Sequence, residues 1–240
     1  MDTKSRDELF PAFVLHRRDY GNSSLLLEIF SRPHGRFPVI AKGAKRPRNA
    51  GAALLQPFSP LLMNIVGRGE VKNLKQVEAA DRPIPITGAG LYCGFYLNEL
   101  IVRLLGRNDA HEELYDHYAA ALVSLSGDAD QAAALRRFEL QLLEETGYAM
   151  VLDRDAERGE PLKPDARYDY DPERGPVECL SGSGVAVSGA TLLALGAGAA
   201  LDAQQTREAK ELMRRVLARY LGDKPLKSRE MFKKLFVKSS

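Results

Sequence analysis

Between Glu28 and Glu70 the chain carries Arg32, Arg36, Lys42, Lys45, Arg46, Arg48 and Arg68 and no acidic residue. Seven cations without a counter-charge repel one another, so their clustering points to a polyanionic partner, nucleic acid first. Other side chains suited to chemistry are sparse. His111 and His117, beside Glu112, Glu113 and Asp116, are six residues apart. Two zinc-binding imidazoles on one helical face need a spacing of four. His16 lies beside Arg17 and Arg18, and His34 falls in a Pro-His-Gly turn; neither has a nearby Cys or Ser to activate. The carboxylate pairs Asp153/Asp155 and Glu144/Glu145 sit in an acidic, solvated stretch. There is no phosphate loop, and Gly182-Ser183-Gly184 reads as an ordinary turn. The residues predict a binding protein without catalytic groups, metal or cofactor.

Charge is segregated along all 240 residues. Residues 1–80 hold 13 Lys/Arg against 7 Asp/Glu, residues 81–202 hold 10 against 21, and residues 203–240 hold 11 against 4. The net charge of +2 therefore conceals two basic ends around an acidic middle. A hydrophobic content of 45% suffices for packed cores. No apolar run approaches the ~18–20 residues of a membrane span, and the first residues lack a signal-peptide apolar region. Only Cys93 and Cys179 are present, which gives neither a disulfide framework nor a metal site. A cytoplasmic, nucleoid-associated protein with no membrane contact is expected.

The elements that must position the cations follow from periodicity. Short apolar runs at Phe13–Leu15, Leu25–Phe30, Phe37–Ala41, Leu61–Val66 and Val71–Val77, divided by Gly, Pro and Asn, predict five strands of a small barrel. Residues 43–53 read as a basic loop between the third and fourth strands. Asp81-Arg82-Pro83-Ile84-Pro85-Ile86 marks a boundary, since two prolines in three residues stop a helix and disfavour a central strand. Beyond it, Leu97, Ile101 and Leu104 share a helical face, with Glu99 and Arg103 as an i,i+4 ion pair. Further helices are predicted over Glu112–Leu125, Asp130–Glu145 and Ala203–Leu221, the last opened by a capping box of Asp202 with Gln205 and closed by Gly222. Ser228 is placed to cap a short terminal helix. The fold class is therefore α+β: a barrel in 1–80 and a mostly helical domain in 81–240. The latter has an acidic, proline-rich insertion at about 150–185, with a minor hairpin near residues 166–171. Tyr20 and Phe37 are the aromatic residues considered for base stacking, Phe37 more readily as core.

Eight segments in order resemble the bacterial RecO recombination mediators. They are Ala12-Phe13-Val14-Leu15-His16, Gly35-Arg36-Phe37, Ala41-Lys42-Gly43-Ala44-Lys45, Gln56-Pro57-Phe58-Ser59-Pro60-Leu61, Gly69-Glu70-Val71-Lys72, the run Leu91–Leu100, Leu135-Arg136-Arg137-Phe138-Glu139-Leu140, and Tyr220–Glu230. The resemblance spans nearly the whole chain and weakens only over residues 148–205. It implies an OB-fold barrel followed by a helical domain, and a role in DNA repair and homologous recombination. It further implies binding of single- and double-stranded DNA and annealing of complementary strands. The implied partners are RecR, the C-terminal tail of the single-stranded-DNA-binding protein (SSB) and, indirectly, RecA, which is loaded onto SSB-coated strands.

On these motifs the DNA-contact candidates are Arg36, Lys42, Lys45, Arg46 and Arg48, with Lys72 weaker because Glu70 is close. Lys227 and Arg229, in a basic terminal segment with Lys224, Lys233 and Lys234, offer a second strand surface. An acidic, aromatic-ended tail calls for an apolar slot rimmed by guanidinium groups. Arg136 and Arg137 flanking Phe138 are the candidates, against the alternative that Arg136 pairs with Glu139 while Phe138 fills the core. Many members of the family bind zinc through four cysteines in the C-terminal domain; the single Cys179 here implies a zinc-free member. The competing function is a protein-interaction adaptor whose basic loop docks an acidic partner.

Overall fold

The computed structural model describes residues 8–46, 50–127, 130–179 and 186–236, with side chains of the last helix only as far as Met231. In chain order the elements are β1 (Phe10–Tyr20), β2 (Ser24–Ser31), β3 (Gly35–Ala41), a 3-10 turn (Ala50–Leu54), β4 (Leu61–Val66) and β5 (Lys72–Ala79). Then follow α1 (Gly88–Leu104), α2 (Glu112–Ser126), α3 (Gln131–Glu145), β6 (Arg167–Asp171), β7 (Gly175–Glu178), β8 (Val187–Ser188), α4 (Gly189–Gly196), α5 (Ala203–Leu221) and α6 (Lys227–Phe236).

Alternation in β2 and β3 turns Leu25, Leu27, Ile29, Phe37 and Val39 inward, where they meet Phe10, Ala12, Val14, Leu61 and Met63. The strands close a barrel in the order β1-β2-β3-β5-β4, with β3 and β5 parallel and the other neighbours antiparallel. Phe37 is 1% exposed, so it is core and has no base-stacking face. Residues 43–46 and 50–53 are more ordered than a polar loop. Ala44 is buried, Lys45 N–H donates to the Ser23 carbonyl at 3.0 Å, and the 3-10 turn packs Ala52 and Leu54 on the core.

β1 overshoots its predicted length and carries a bulge between Val14 and His16, which leaves Leu15 without a partner on β2. The Leu15 carbonyl is satisfied from α1: Asn98 Nδ2 donates to it at 2.9 Å, and Tyr118 OH on α2 donates to Asn98 Oδ1 at 2.5 Å. Asn98 and Tyr118 are both buried, and desolvation pushes the Tyr118 phenol well above its usual pKa, so it stays a donor. Gly35 is obligatory, because its φ is +63° and a Cβ there would sit 1.6 Å from the Asp109 carbonyl oxygen.

The chain divides into two compact units, one of residues 1–128 with 226–240 and one of residues 129–225. By this measure α1, α2 and α6 join the barrel, whereas the prolines place a boundary near residue 80. α6 packs on α1, where the Glu99 carboxylate accepts Lys227 N–H (2.9 Å), Ser228 N–H (2.9 Å) and Ser228 Oγ–H (2.7 Å). A remote carboxylate thus does the capping that sequence assigned to Ser228, and Glu99 itself was read as the partner of Arg103.

In the second unit β6 pairs with both β7 and β8, confirming the minor hairpin and adding a short third strand. Ser188 caps α4, a helix not foreseen, and α5 begins with the expected Asp202–Gln205 box. Glu208 of α5 holds these pieces: it accepts Ser188 N–H (3.0 Å), Ser188 Oγ–H (2.8 Å), Thr191 Oγ1–H (2.7 Å) and Arg167 Nη1–H (2.7 Å). Burial alone would raise its pKa, but these bonds outweigh it and hold the carboxyl at about 2.

Candidate nucleic-acid interface

One rim of the barrel gathers the exposed cations. The register Leu25↔Ala41 sets the end of β3 beside the β1–β2 turn, and Lys45 Nζ meets Asp19 Oδ2 at 2.6 Å across it. Lys42 and Arg46 are exposed and form no ion pair among the described residues. Arg17, Arg18 and the half-exposed ring of Tyr20 lie on the adjoining end of β1. The Lys45–Asp19 contact is a surface pair, worth ~1 kcal/mol or less, so Lys45 can exchange Asp19 for a phosphate at little cost. Arg48, the remaining candidate of this loop, lies outside the described residues.

Arg32 and Arg36 of the acid-free stretch have found acids elsewhere. Arg32 forms a fork to Asp116 (3.1 Å for both bonds) and reaches Glu112 at 2.5 Å, both on α2. The hydrogen bond to Asp116 is the main reason its pKa is raised. Arg36 does not join the interface: it is 9% exposed, its Nη1 is paired with Glu28, and its Nη2 donates to the Leu105 carbonyl at 2.7 Å. A buried guanidinium with both terminal nitrogens engaged has nothing to offer a phosphate, and it serves to fasten the barrel to the end of α1. Lys72 is half-buried at the start of β5, where it pairs with Val39 near the end of β3. There its charge adds to burial in lowering the pKa of His34. Arg68, exposed in the β4–β5 turn, also has no ion pair among the described residues.

Lys227 is exposed at the start of α6, and Arg229 stacks over the Tyr96 ring at 5.7 Å from its centroid. Lys233 and Lys234 have side chains outside the description.

Within the second unit, α3, residues 149–153 and the end of α4 line a groove of about 630 Å³. Arg136 and Arg137 stand on its α3 wall with Ala133 and Leu140, Glu144 lies one turn beyond Leu140 on the same helix, and Asp153 also lines it. Arg137 is exposed, while Arg136 donates to the fully buried Glu139 at 2.7 Å. Phe138 is 1% exposed and faces the core with Leu142, so it takes no part in the groove. Helical periodicity decides this: 134, 138 and 142 share the buried stripe, and 137 points away from it.

Family models match both parts of the chain: Recombination protein O N terminal over residues 6–82 and Recombination protein O C terminal over residues 87–230. The chain belongs to the RecO family. The DNA repair protein RecO of Nitrosospira multiformis is 46% identical over 233 residues, covering 96% of each chain. That of Methylococcus capsulatus is 49% identical over 230 residues, covering 95% of this chain and 94% of its own. That of Aromatoleum aromaticum is 45% identical over 238 residues, covering 98% and 99%. The five-stranded barrel of residues 10–79 and the helical region after it agree with the two-part match.

The residues of this chain do not fit the zinc site implied for four-cysteine members. Cys93 and Cys179 are the two cysteines of the chain, and no group of three or more His, Cys, Asp or Glu able to hold a metal occurs among the described residues. A tetrahedral thiolate site needs more. Residues 151–179 are organised by Asp155, 4% exposed, which accepts the N–H groups of Glu157 (2.9 Å), Arg158 (2.8 Å) and Glu178 (2.8 Å). Burial works against its ionisation, yet these backbone donors prevail and its pKa is lowered. Glu178 in turn meets Arg158 at 2.5 Å and Lys163 at 3.6 Å. Sequence reasoning passed over Asp155 as solvated; a buried aspartate is visible only once its three donors converge.

Proposed function

We propose that the protein is a recombination mediator. It grips DNA by its phosphates at the barrel rim, anneals complementary single strands, and works with RecR to load RecA onto SSB-coated DNA. The observation that carries this reading is the exposed trio Lys42, Lys45 and Arg46, of which two have no acidic partner among the described residues. Cations on a turn between strands follow a backbone without reading bases, so both single and double strands are ligands and sequence preference is weak. Annealing follows from neutralisation: two complementary strands repel, and a cationic surface that holds both lets their bases meet.

The groove of the second unit is the seat for the SSB tail. Its apolar residues accept an aromatic end, and Arg137, with Arg136 beside it, receives the terminal carboxylate. Glu144 and Asp153 repel acidic residues, so the tail leaves the groove on the arginine side. Annealing of labelled strands, bare and SSB-coated, tests both parts. Arg137→Ala should leave annealing of bare strands unchanged and slow annealing of coated ones. Equal rates for both proteins on coated strands would remove the groove from the mechanism.

A further inference from the structure

The bulge in β1 sets which way the charged end of that strand faces. Ahead of it Phe13 stands opposite Phe30 and Val14 opposite Ile29. Beyond it His16 stands opposite Glu28, Arg17 opposite Leu27, Arg18 opposite Leu26 and Asp19 opposite Leu25. Ladder partners share a face, so Arg17 and Asp19 lie on the side of the core residues Leu25 and Leu27. Both are exposed, which puts them at the open mouth of the barrel. There Arg17 Nη1 donates to the Leu55 carbonyl at 3.4 Å, and Asp19 meets Lys45 at 2.6 Å. His16 and Arg18 take the outer side. Had β1 kept its first register, His16 would oppose Leu27, Arg18 would oppose Leu25, and Asp19 would oppose Ser24. A slip of one residue exchanges the two faces and parts Asp19 from Lys45.

The extra residue needs a partner for its backbone. Leu15 is 2% exposed, so its carbonyl is cut off from bulk water and depends on a protein donor. Asn98 of α1 is that donor, at 2.9 Å. Its amide is aimed by Tyr118 of α2, whose hydroxyl donates to Oδ1 at 2.5 Å and so turns the nitrogen toward Leu15. The Tyr118 ring meets Phe13 edge-on at 5.2 Å and Phe30 at 6.1 Å, the cross-strand pair just ahead of the bulge. Two helices thus hold one irregular residue of the strand.

We propose that Asn98, aimed by Tyr118, is a positioning residue of the rim: by holding the bulge at Leu15 it keeps Arg17 and Asp19 at the barrel mouth, where Asp19 tempers the grip of Lys45 on phosphates. Both residues are buried and act only through β1. This inference rests on the phosphate-binding reading of the rim.

A double-mutant cycle read by fluorescence anisotropy of a labelled single strand tests it on the full chain. Asp19→Ala frees Lys45 and should tighten binding about threefold, the size of one surface ion pair. Asn98→Leu and Tyr118→Phe each release the bulge, so in either background Asp19→Ala should bring no gain. A threefold gain that survives in both backgrounds would overturn the proposal, even if their thermal midpoints fall, because lost packing alone leaves the faces of β1 unchanged. Tyr118→Phe keeps the ring and its contacts, so it decides if Asn98→Leu does not fold. Should Asp19→Ala change nothing in the wild type, the rim reading fails, and amide hydrogen exchange judges the positioning role by itself. Exchange should then quicken in residues 16–20 of both variants and hold steady in residues 10–14. Equal quickening of the two halves, or none, would overturn it.

Discussion

Removing the Arg36 guanidinium would leave Glu28 with only the 3.4 Å contact to Arg107 and free the Leu105 carbonyl. Losing one partner of a largely buried ion pair costs about 3 kcal/mol. Arg36→Ala should therefore shift the urea midpoint downward, whereas Lys42→Ala, on the exposed rim, should leave it unchanged. Identical midpoints for the two variants would contradict the placement of Arg36. Glu208 offers a pH-dependent counterpart. Its carboxyl is held at about 2 against an ordinary 4.5, so its contribution is complete above about pH 4.5 and fades as pH falls toward about 2. The full shift corresponds to about 3 kcal/mol, and the side chain is only 13% exposed, so screening takes little from it. Glu208→Gln should destabilise by that order at pH 7, with the difference from wild type shrinking at pH 3. A constant difference across that range would mean the carboxylate charge is not what Ser188, Thr191 and Arg167 hold.

Among elements, α6 depends on a group far from it in sequence. Glu99 provides a negative charge and an acceptor for two orphan N–H groups at its start, a combination worth about 1–2 kcal/mol. Glu99→Ala should speed amide hydrogen exchange in residues 227–231 while α5 keeps its protection. Uniform exchange in both proteins would show that packing on α1 suffices. What sequence could reveal divides along the same line. The five strands were legible as short apolar runs divided by Gly, Pro and Asn, the long helices because their burial repeats every 3.6 residues, and the Asp202–Gln205 box because it is local. The bulge at Leu15, the two-residue β8 and the eight-residue α4 were not. A bulge leaves no periodic mark, and elements that short give no period to count. The cap on α6 is a contact across more than 120 residues.

At the scale of the molecule, the acid-free stretch overstated the cationic surface. Counter-charges for Arg32, Arg36 and Lys45 come from Glu112, Asp116, Glu28 and Asp19, outside the 29–69 window or on another element. Linear charge counts cannot anticipate such pairings, because folding brings together residues that composition treats as separate. The pairing narrows the surface and sharpens it: Lys42 and Arg46 remain open at one rim, with Lys45 in a weak exchangeable pair. Arg17 and Arg18, which were not among the candidates, join them through the hairpin register. The rim and the second unit's groove are then the two sites proposed for distinct acidic ligands, a nucleic-acid backbone and a protein tail.

The grip of the rim on phosphates is tested most directly by the salt dependence of single-strand binding in the triple variant Lys42→Ala, Lys45→Ala, Arg46→Ala. Each lost contact should reduce the slope of log K against log salt by about 0.7, so the triple variant should flatten it by about 2, with the same loss for unrelated sequences. A slope equal to that of the wild type would contradict the account.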